Sequence, residues 1–354
     1  MLNKSAPLDL NDKIATINLV VVIPAYKCAS QIAAVLHSIP TFISRIIVVD
    51  DASPDAIDQE VAKINDSRII YMRHQQNRGV GEAMLTGYNK ALELGAEIII
   101  KMDGDGQMDA SYISLLILPI LEGLADYVKG NRFLHGHELV QMPKRRLIGN
   151  IGLTFLTKLA SGYWHIFDPN NGFTAIHHYA LSLTHQKNIH PRYFFESSLL
   201  IELNRIRAVA VDMPIPAQYG DEASSLSLTQ AFFEFPFNLG KGLLRRIIWQ
   251  YFLYDFTPVS LFLILGTTLT VLGALWGLYH WYISIVYNLV ATTGTVMIGV
   301  LPVIVGFQLL LQALVLDIQN TPDSPVQRRI ERSMLPYAQI FPPTEYQLVE
   351  RDKS

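Results

Sequence analysis

The sequence predicts an alternating α/β domain built on a parallel sheet, followed by a hairpin of two membrane-crossing helices. Short β-branched runs alternate with helically spaced segments through the first part of the chain. No Asp, Glu, Lys or Arg lies between Asp255 and Asp317. Acids or an aromatic follow three of the strand candidates, which is where a sheet of this kind binds its ligands.

LVVVI at 19–23 is a continuous β-branched run ending in Pro24 and reads as a fully buried strand. A helix is expected over 29–39 and a second strand, RIIVVD, over 45–50. Residues 55–64 read as helix, RIIYMR at 68–73 as extended, 79–95 as helix, and EIIIKM at 97–102 as a further buried strand. Such alternation implies parallel strands with helices on both faces.

Composition narrows the class. Half of the residues (50%) are hydrophobic and 17% charged, which excludes a disordered chain. A formal net charge of −3 gives no reason to expect a nucleic-acid partner. The single cysteine, Cys28, excludes an internal disulfide and a multi-cysteine metal site, and favours a reducing compartment.

The apolar excess lies near the C-terminus. A span needs roughly 20 apolar residues, and the uncharged run divides into 259–279 and 296–316 with a loop near 284–293. Trp276, Tyr279, Trp281 and Tyr282 cluster as an interfacial belt would. A pair of buried helices in a soluble core is the alternative. Lys241, Arg245 and Arg246 precede the hairpin and Arg328, Arg329 and Arg332 follow it, whereas the loop has no Lys or Arg. Both flanks are therefore expected in the cytoplasm. The N-terminal residues hold no apolar stretch of signal-peptide length, so the α/β part is expected to stay on the cytoplasmic side of the cell membrane. Residues 228–256 mix Phe, Leu and Trp with basic residues, which suits an interfacial helix broken near Pro236 or a surface packed on the cytoplasmic domain. After Asp317, with Pro322, Pro325, Pro342 and Pro343, an irregular tail is expected.

Chemistry concentrates at the strand ends. The first strand leads into Pro24-Ala25-Tyr26, the second into Asp50-Asp51-Ala52-Ser53, and the strand at 97–102 into Asp103-Gly104-Asp105-Gly106-Gln107. Asp-x-Asp beside glycines suits Mg²⁺ or Mn²⁺ bridging a diphosphate, because both prefer hard oxygen ligands and glycine lets backbone approach phosphate. The plainer reading of Asp-Gly-Asp-Gly is a turn. A calcium loop would want an acid where Ser114 stands. Gly79-Val80-Gly81 fails as a dinucleotide fingerprint because Met84 holds the third glycine position, and suits a helix start. Asp50-Asp51 could cap a helix. Glu196 opens a helix and reads as a solvated or capping acid, with a place facing the site as the alternative.

The ordered set VVIPAY (21–26), VVDDAS (48–53), NRGVG (77–81), MDGDGQ (102–107), GNR (130–132), KRRLIG (144–149) and DPNNGF (168–173) resembles the family-2 glycosyltransferases, in particular the polyprenyl-phosphate sugar synthases. The resemblance covers roughly residues 18–225 and implies a GT-A, Rossmann-like mixed sheet with helices on both faces. It implies that Pro24, Ala25, Tyr26 and Asp51 contact the base and ribose of a nucleotide sugar, with Asp50 and Asp103 close by. It also implies that Asp103, Asp105 and Gln107 bind Mg²⁺ or Mn²⁺ and the diphosphate, and that Arg132, Arg145 and Arg146 hold the phosphate of a polyprenyl-phosphate acceptor. Asp105 and Asp168 would be the catalytic acids, Asp168 beside the reacting sugar. Relatives with two spans can form homotetramers. Lys27-Cys28 stands where the family often has Asn-Glu, and Gly149 where a serine is common. Arg132 as a structural ion pair, Arg145-Arg146 as a membrane-facing patch and Asp168 as a turn residue are the alternatives. The expected organisation is an extension (1–17), the catalytic domain (18–227), a juxtamembrane segment (228–256), two spans (257–317) and a cytoplasmic tail (318–354). A processive polysaccharide synthase and a silent adaptor are the rivals. The missing arginine before Trp249 argues against the first, and the Asp103/Asp105 pair against the second.

Overall fold

The computed structural model describes residues 10–132, 144–169, 171–216 and 228–334. Among these, β1 (Leu19–Ala25), β2 (Arg45–Asp50), β3 (Ile69–Arg73), β4 (Ile98–Lys101), β5 (Tyr127–Asn131), β6 (Thr174–His177) and β7 (Ala210–Pro214) form one sheet in the order β3-β2-β1-β4-β6-β5-β7. Only β6 runs antiparallel to its neighbours. The sheet is thus mixed, as the resemblance implies, rather than wholly parallel. The four-residue β6 carries no pattern long enough to be read from sequence.

The first four strands are continuous or nearly continuous apolar runs because helices cover both faces of a doubly wound sheet. Val21, Ile23, Ile46, Val48, Ile98 and Ile100 all join one buried cluster. The helix Val80–Glu93 reaches β1 through Gly87, where a Cβ would sit 2.2 Å from Val22 Cγ1. Its start is built by glycine. Gly79 has φ +99°, and a Cβ on Gly81 would lie 2.1 Å from the His190 carbonyl oxygen. The helix-start reading of Gly79-Val80-Gly81 therefore holds.

Two compact units interleave along the chain, where the sequence suggests consecutive segments. One comprises Met1–Met142, Phe167–Ser225 and Pro322–Ser354, and the other Pro143–Ile166 and Leu226–Thr321. In the first unit the expected irregular tail is corrected over its described part: Val326–Met334 is a helix. The buried Asp126 carboxylate accepts hydrogen bonds from the backbone N–H groups of Val326 (2.8 Å), Gln327 (3.0 Å) and Val209 (2.8 Å). An acid at a helix N-terminus stabilises it, but this one lies far away in sequence and no local pattern announces it. Burial pushes the Asp126 carboxyl up, against the pull of those donors.

The second unit holds the two long apolar helices, Pro258–Tyr287 and Thr293–Gln319, each long enough to cross a membrane. They extend beyond the expected spans and shorten the loop. Close crossing rests on small residues: a Cβ on Gly266 would meet the Gly306 carbonyl oxygen at 2.9 Å, and one on Gly273 the Gly299 carbonyl oxygen at 2.7 Å. The break expected near Pro236 is absent; Leu228–Ile248 is one helix and passes into a π-helical turn, Trp249–Tyr254. Proline's fixed φ is itself helical, and the helix packs along Lys144–Ser161, a contact that a break would forfeit.

Arg246, expected as part of a basic flank, is instead buried at 2% exposure. Its guanidinium donates to both Asp317 carboxylate oxygens (2.7 and 2.9 Å), to the carbonyls of Ala160 and Leu159 (3.0 Å each) and to Gln250 Oε1 (3.2 Å). The Tyr251 hydroxyl donates to Asp317 at 2.5 Å. All five guanidinium donors are used, and this clasp ties the first and last parts of the unit together.

Candidate active site

The carboxyl ends of β1, β2, β3 and β4 define one edge of the sheet. Asp50 is fully buried there. Its carboxylate accepts from the Ser53 amide (2.7 Å) and the Tyr71 hydroxyl (2.6 Å), with the Arg73 guanidinium 3.4 Å away. Burial, reinforced by Asp50, raises the Tyr71 phenol above its usual value. Asp51 is buried as well and accepts from the amides of Arg78 (2.8 Å) and Gly79 (2.7 Å), while His74 Nδ1 lies 2.7 Å away. Thus Asp51 organises the loop that starts the helix Val80–Glu93, and Asp50 organises the turn through Ala52 (φ +54°). These protein partners give both carboxylates a shaping role.

Pro24 and Ala25 end β1, and Tyr26 presents a ring 46% exposed, with Lys27 Nζ 5.4 Å from its centroid. The Lys27 amide donates to Ser53 Oγ (2.7 Å) and the Ala29 amide to Asp55 Oδ2 (2.8 Å), joining the β1 and β2 turns. Burial pushes the Cys28 thiol up to about 12, so it stays protonated at neutral pH and is no nucleophile.

Beyond β4 the acidic turn is more open. Asp103 is partly exposed, and its Oδ1 accepts from Lys101 Nζ at 2.7 Å. The described residues give Asp103 Oδ2 no hydrogen bond. Asp105 is half-buried, with Oδ1 accepting from the Gln107 amide at 3.0 Å, and Gln107 is exposed. Gly106, at φ +77°, makes the turn that only glycine adopts without strain. Beside it Gly172 leaves a cradle: a Cβ would fall 2.6 Å from Asp103 Oδ2. Among the described residues no group of three or more His, Cys, Asp or Glu could hold a metal ion. The hard oxygens of Asp103 and Asp105 suit Mg²⁺ or Mn²⁺ only as part of a ligand set that a diphosphate completes.

The described residues just before β6 bring further groups to this edge. Asp168, 2% exposed, grips Arg132 through Nε (2.8 Å) and Nη2 (3.2 Å). Two residues assigned separately in the sequence thus form one bidentate pair. Asn171 bridges back to β5, its Nδ2 donating to the Gly130 carbonyl at 2.7 Å. Arg145 and Arg146 lie on the helix Lys144–Ser161, in the other unit, and their side chains lie outside the described residues.

Sequence reading missed Lys129 and Asp212 beneath the site and gave Glu196 an inward place only as the alternative. Glu196 is not a solvated acid; it turns inward, with Oε1 3.3 Å from Lys101 Nζ. Lys129 on β5 is buried and donates to the Asn171 carbonyl at 2.5 Å; burial lowers its ammonium to about 8. Asp212 on β7 accepts from Asn131 (3.1 Å) and from the Phe167 amide (2.6 Å). A charged residue inside a buried apolar run, as in IIIK of β4 and YVKGN of β5, was the available signal.

Residues 20–183 match the glycosyl transferase family 2 domain. The UDP-N-acetylglucosamine–dolichyl-phosphate N-acetylglucosaminyltransferase of Methanococcus voltae is 32% identical over 213 residues, covering 56% of this chain and 84% of the relative. The polyprenol monophosphomannose synthase of Mycolicibacterium smegmatis is 31% identical over 150 residues, covering 40% and 53%. An undecaprenyl-phosphate mannosyltransferase of Micrococcus luteus is 27% identical over 155 residues, covering 40% and 63%. In fold the chain is similar to glucosyl-3-phosphoglycerate synthase of Mycobacterium tuberculosis, solved with Mn²⁺, UDP and phosphoglyceric acid, at a TM-score of 0.50 and 19% identity over 68% of this chain and 83% of that one. The chain belongs to glycosyltransferase family 2, as an enzyme of the polyprenyl-phosphate sugar transferase type.

Proposed function

We propose that this enzyme moves a sugar from a nucleoside-diphosphate sugar to a polyprenyl phosphate at the cytoplasmic face of a membrane crossed by its two apolar helices. One observation carries the reading: Asp103, open enough to meet a cation, lies against the same segment, 168–173, whose Asp168 holds Arg132. On this reading the donor-side and acceptor-side groups share one sheet edge.

Tyr26 offers the base a ring face, and the turns shaped by Asp50 and Asp51 bound the ribose side. Asp103, Asp105 and Gln107 would hold Mg²⁺ or Mn²⁺, which when bound offsets the charge of the departing nucleoside diphosphate. The acceptor phosphate is anionic at neutral pH, so attack needs no strong general base. Arg132 supplies a cation oriented by Asp168. Guanidinium forks suit phosphate oxygens. Positioning and charge stabilisation carry the rate, and a single in-line displacement inverts the anomeric centre. The exposed Phe237, Leu244, Trp249, Phe252 and Leu253 beside Lys241 and Arg245 suit the lipid interface that the acceptor occupies.

The test is a donor screen with the purified full chain, undecaprenyl or dolichyl phosphate, and Mg²⁺ or Mn²⁺, with the lipid product read by mass. UDP-N-acetylglucosamine heads the panel because the Methanococcus relative is named for it, followed by UDP-glucose and GDP-mannose. Absence of a lipid-linked sugar with every donor would sink the assignment.

A further inference from the structure

Beneath the acidic turn lies a buried charge that sugar transfer by itself does not require. Every residue of β4 is buried, including Lys101, whose side chain is 1% exposed. An ammonium has three donors, and three acceptors surround this one: Asp103 Oδ1 at 2.7 Å, the Gly172 carbonyl at 3.2 Å and Glu196 Oε1 at 3.3 Å. The acceptors come from three separate stretches of chain. Lys129 stands opposite, since Lys101 and Lys129 both pair with Thr174 across β6. Its ammonium takes the Asn171 carbonyl at 2.5 Å. Two buried cations thus hold two consecutive carbonyls, and the Phe173 amide, donating to Asn171 Oδ1 at 3.0 Å, closes the turn.

Gly172 gives this arrangement its room. A Cβ there would lie 2.4 Å from Lys101 Nζ and 2.6 Å from Asp103 Oδ2. Taking a cation out of water costs several kcal/mol unless it is paired and hydrogen-bonded, and a methionine would fill the same length of space without that cost. What the ammonium adds is a rigid link between the acidic turn and the segment leading from Asp168.

We propose that Lys101 is a positioning residue that locks Asp103 and segment 171–173 into one body, so that occupation of the donor half and of the acceptor half of the site are coupled. This coupling rests on the function proposed for the site. Lys101 also opposes a bare cation at Asp103, because it places a like charge beside the ligand.

The experiment uses the full chain in lipid nanodiscs, with the variants Lys101→Met and Gly172→Ala. Binding of Mn²⁺ with UDP or GDP present is followed by electron paramagnetic resonance, and the acceptor KM is measured with undecaprenyl phosphate and the best donor from the screen. In Lys101→Met, Mn²⁺ binds about fivefold more tightly because the opposing charge is gone. The acceptor KM rises about tenfold because the segment is no longer held. Gly172→Ala keeps the charge but displaces the ammonium; it raises the acceptor KM without the gain in Mn²⁺ binding, and serves alone if Lys101→Met does not fold. Loss of packing cannot move the two quantities in opposite directions. Both quantities within about twofold of the unsubstituted protein would overturn the proposal, as would a joint weakening that tracks a lowered melting temperature. Failure of the underlying reading looks different: the unsubstituted protein would then bind no Mn²⁺ even with UDP or GDP, and both ideas would fall.

Discussion

Two of the buried ionic networks among the described residues differ in what is left open. In the hairpin unit Arg246 and Asp317 close on one another: all five guanidinium donors are spent, and Asp317 is 8% exposed. In the α/β unit Lys101 is as deeply buried, yet its partner Asp103 keeps a side chain 30% exposed and an oxygen turned towards the cradle at Gly172. A closed network fixes which segments meet and leaves no charge turned to solution. An incompletely coordinated carboxylate, held rigidly by a buried cation, is ready to ligand something that arrives from solution.

Removing the second carboxylate of the acidic turn beside the open network has the largest expected effect. Asp105→Ala lowers transfer of labelled sugar to lipid by about a thousandfold or more, while the melting temperature stays put. Normal turnover by that variant would contradict the cation role. The closed network behaves in the opposite way. Arg246→Met leaves Asp317 buried without its partner and costs about 3–5 kcal/mol of stability, read as a fall in the thermal midpoint. Adding Asp317→Leu recovers most of that loss, because an apolar pair needs no desolvation. A double variant no more stable than the single one would mean that the clasp is more than a charge pair. Asp168→Asn sharpens the contrast within the site: it weakens the hold on Arg132 and lowers kcat/KM for the acceptor by about tenfold, with donor KM little changed.

Two smaller effects concern groups outside both networks. Burial lowers the His177 imidazole from 6.5 to about 4, so the unfolded chain takes up the proton first on acidification. The stability this contributes is complete above pH 6.5 and is lost progressively as the pH falls towards 4. His177→Asn, which keeps an acceptor for the Tyr179 amide, flattens that part of the acid-unfolding profile. An unchanged slope would show that the histidine takes up its proton as readily in the folded protein as in the unfolded chain. The Cys28 thiol, pushed up to about 12, resists alkylation at pH 8 until the protein is unfolded, and rapid labelling of the native enzyme would refute its burial.

Much of the site was legible because its residues sit where strand patterns end. LVVVI, RIIVVD and EIIIKM each announce a buried strand, and the residues just after such a strand lie at a sheet edge. Asp103, Asp105 and Gln107 could be named that way. The pairing of Arg132 with Asp168 could not, because 36 residues separate them and neither lies in a periodic element that would bring them together. Lys101 and Lys129 were masked by their apolar neighbours, although a lysine inside a run of isoleucines is itself a warning that an acid waits nearby. The continuous helix through Pro236 and the helix at Val326–Met334 were missed for one reason: both depend on distant contacts, with Lys144–Ser161 in one case and Asp126 in the other.

Sequence alone determined the strand–helix alternation, the sheet edge that carries the candidate site, and two helices long and apolar enough to span a bilayer, because hydrophobic period and run length are local properties of a chain. Only the tertiary structure decided which charges meet. It turned Arg246 from a solvated flank into a buried clasp, Glu196 from a capping acid into a partner of Lys101, and Asp51 into the anchor of a loop. A buried charge must find its complement wherever the fold places one, and that position is not encoded within reach of the residue itself.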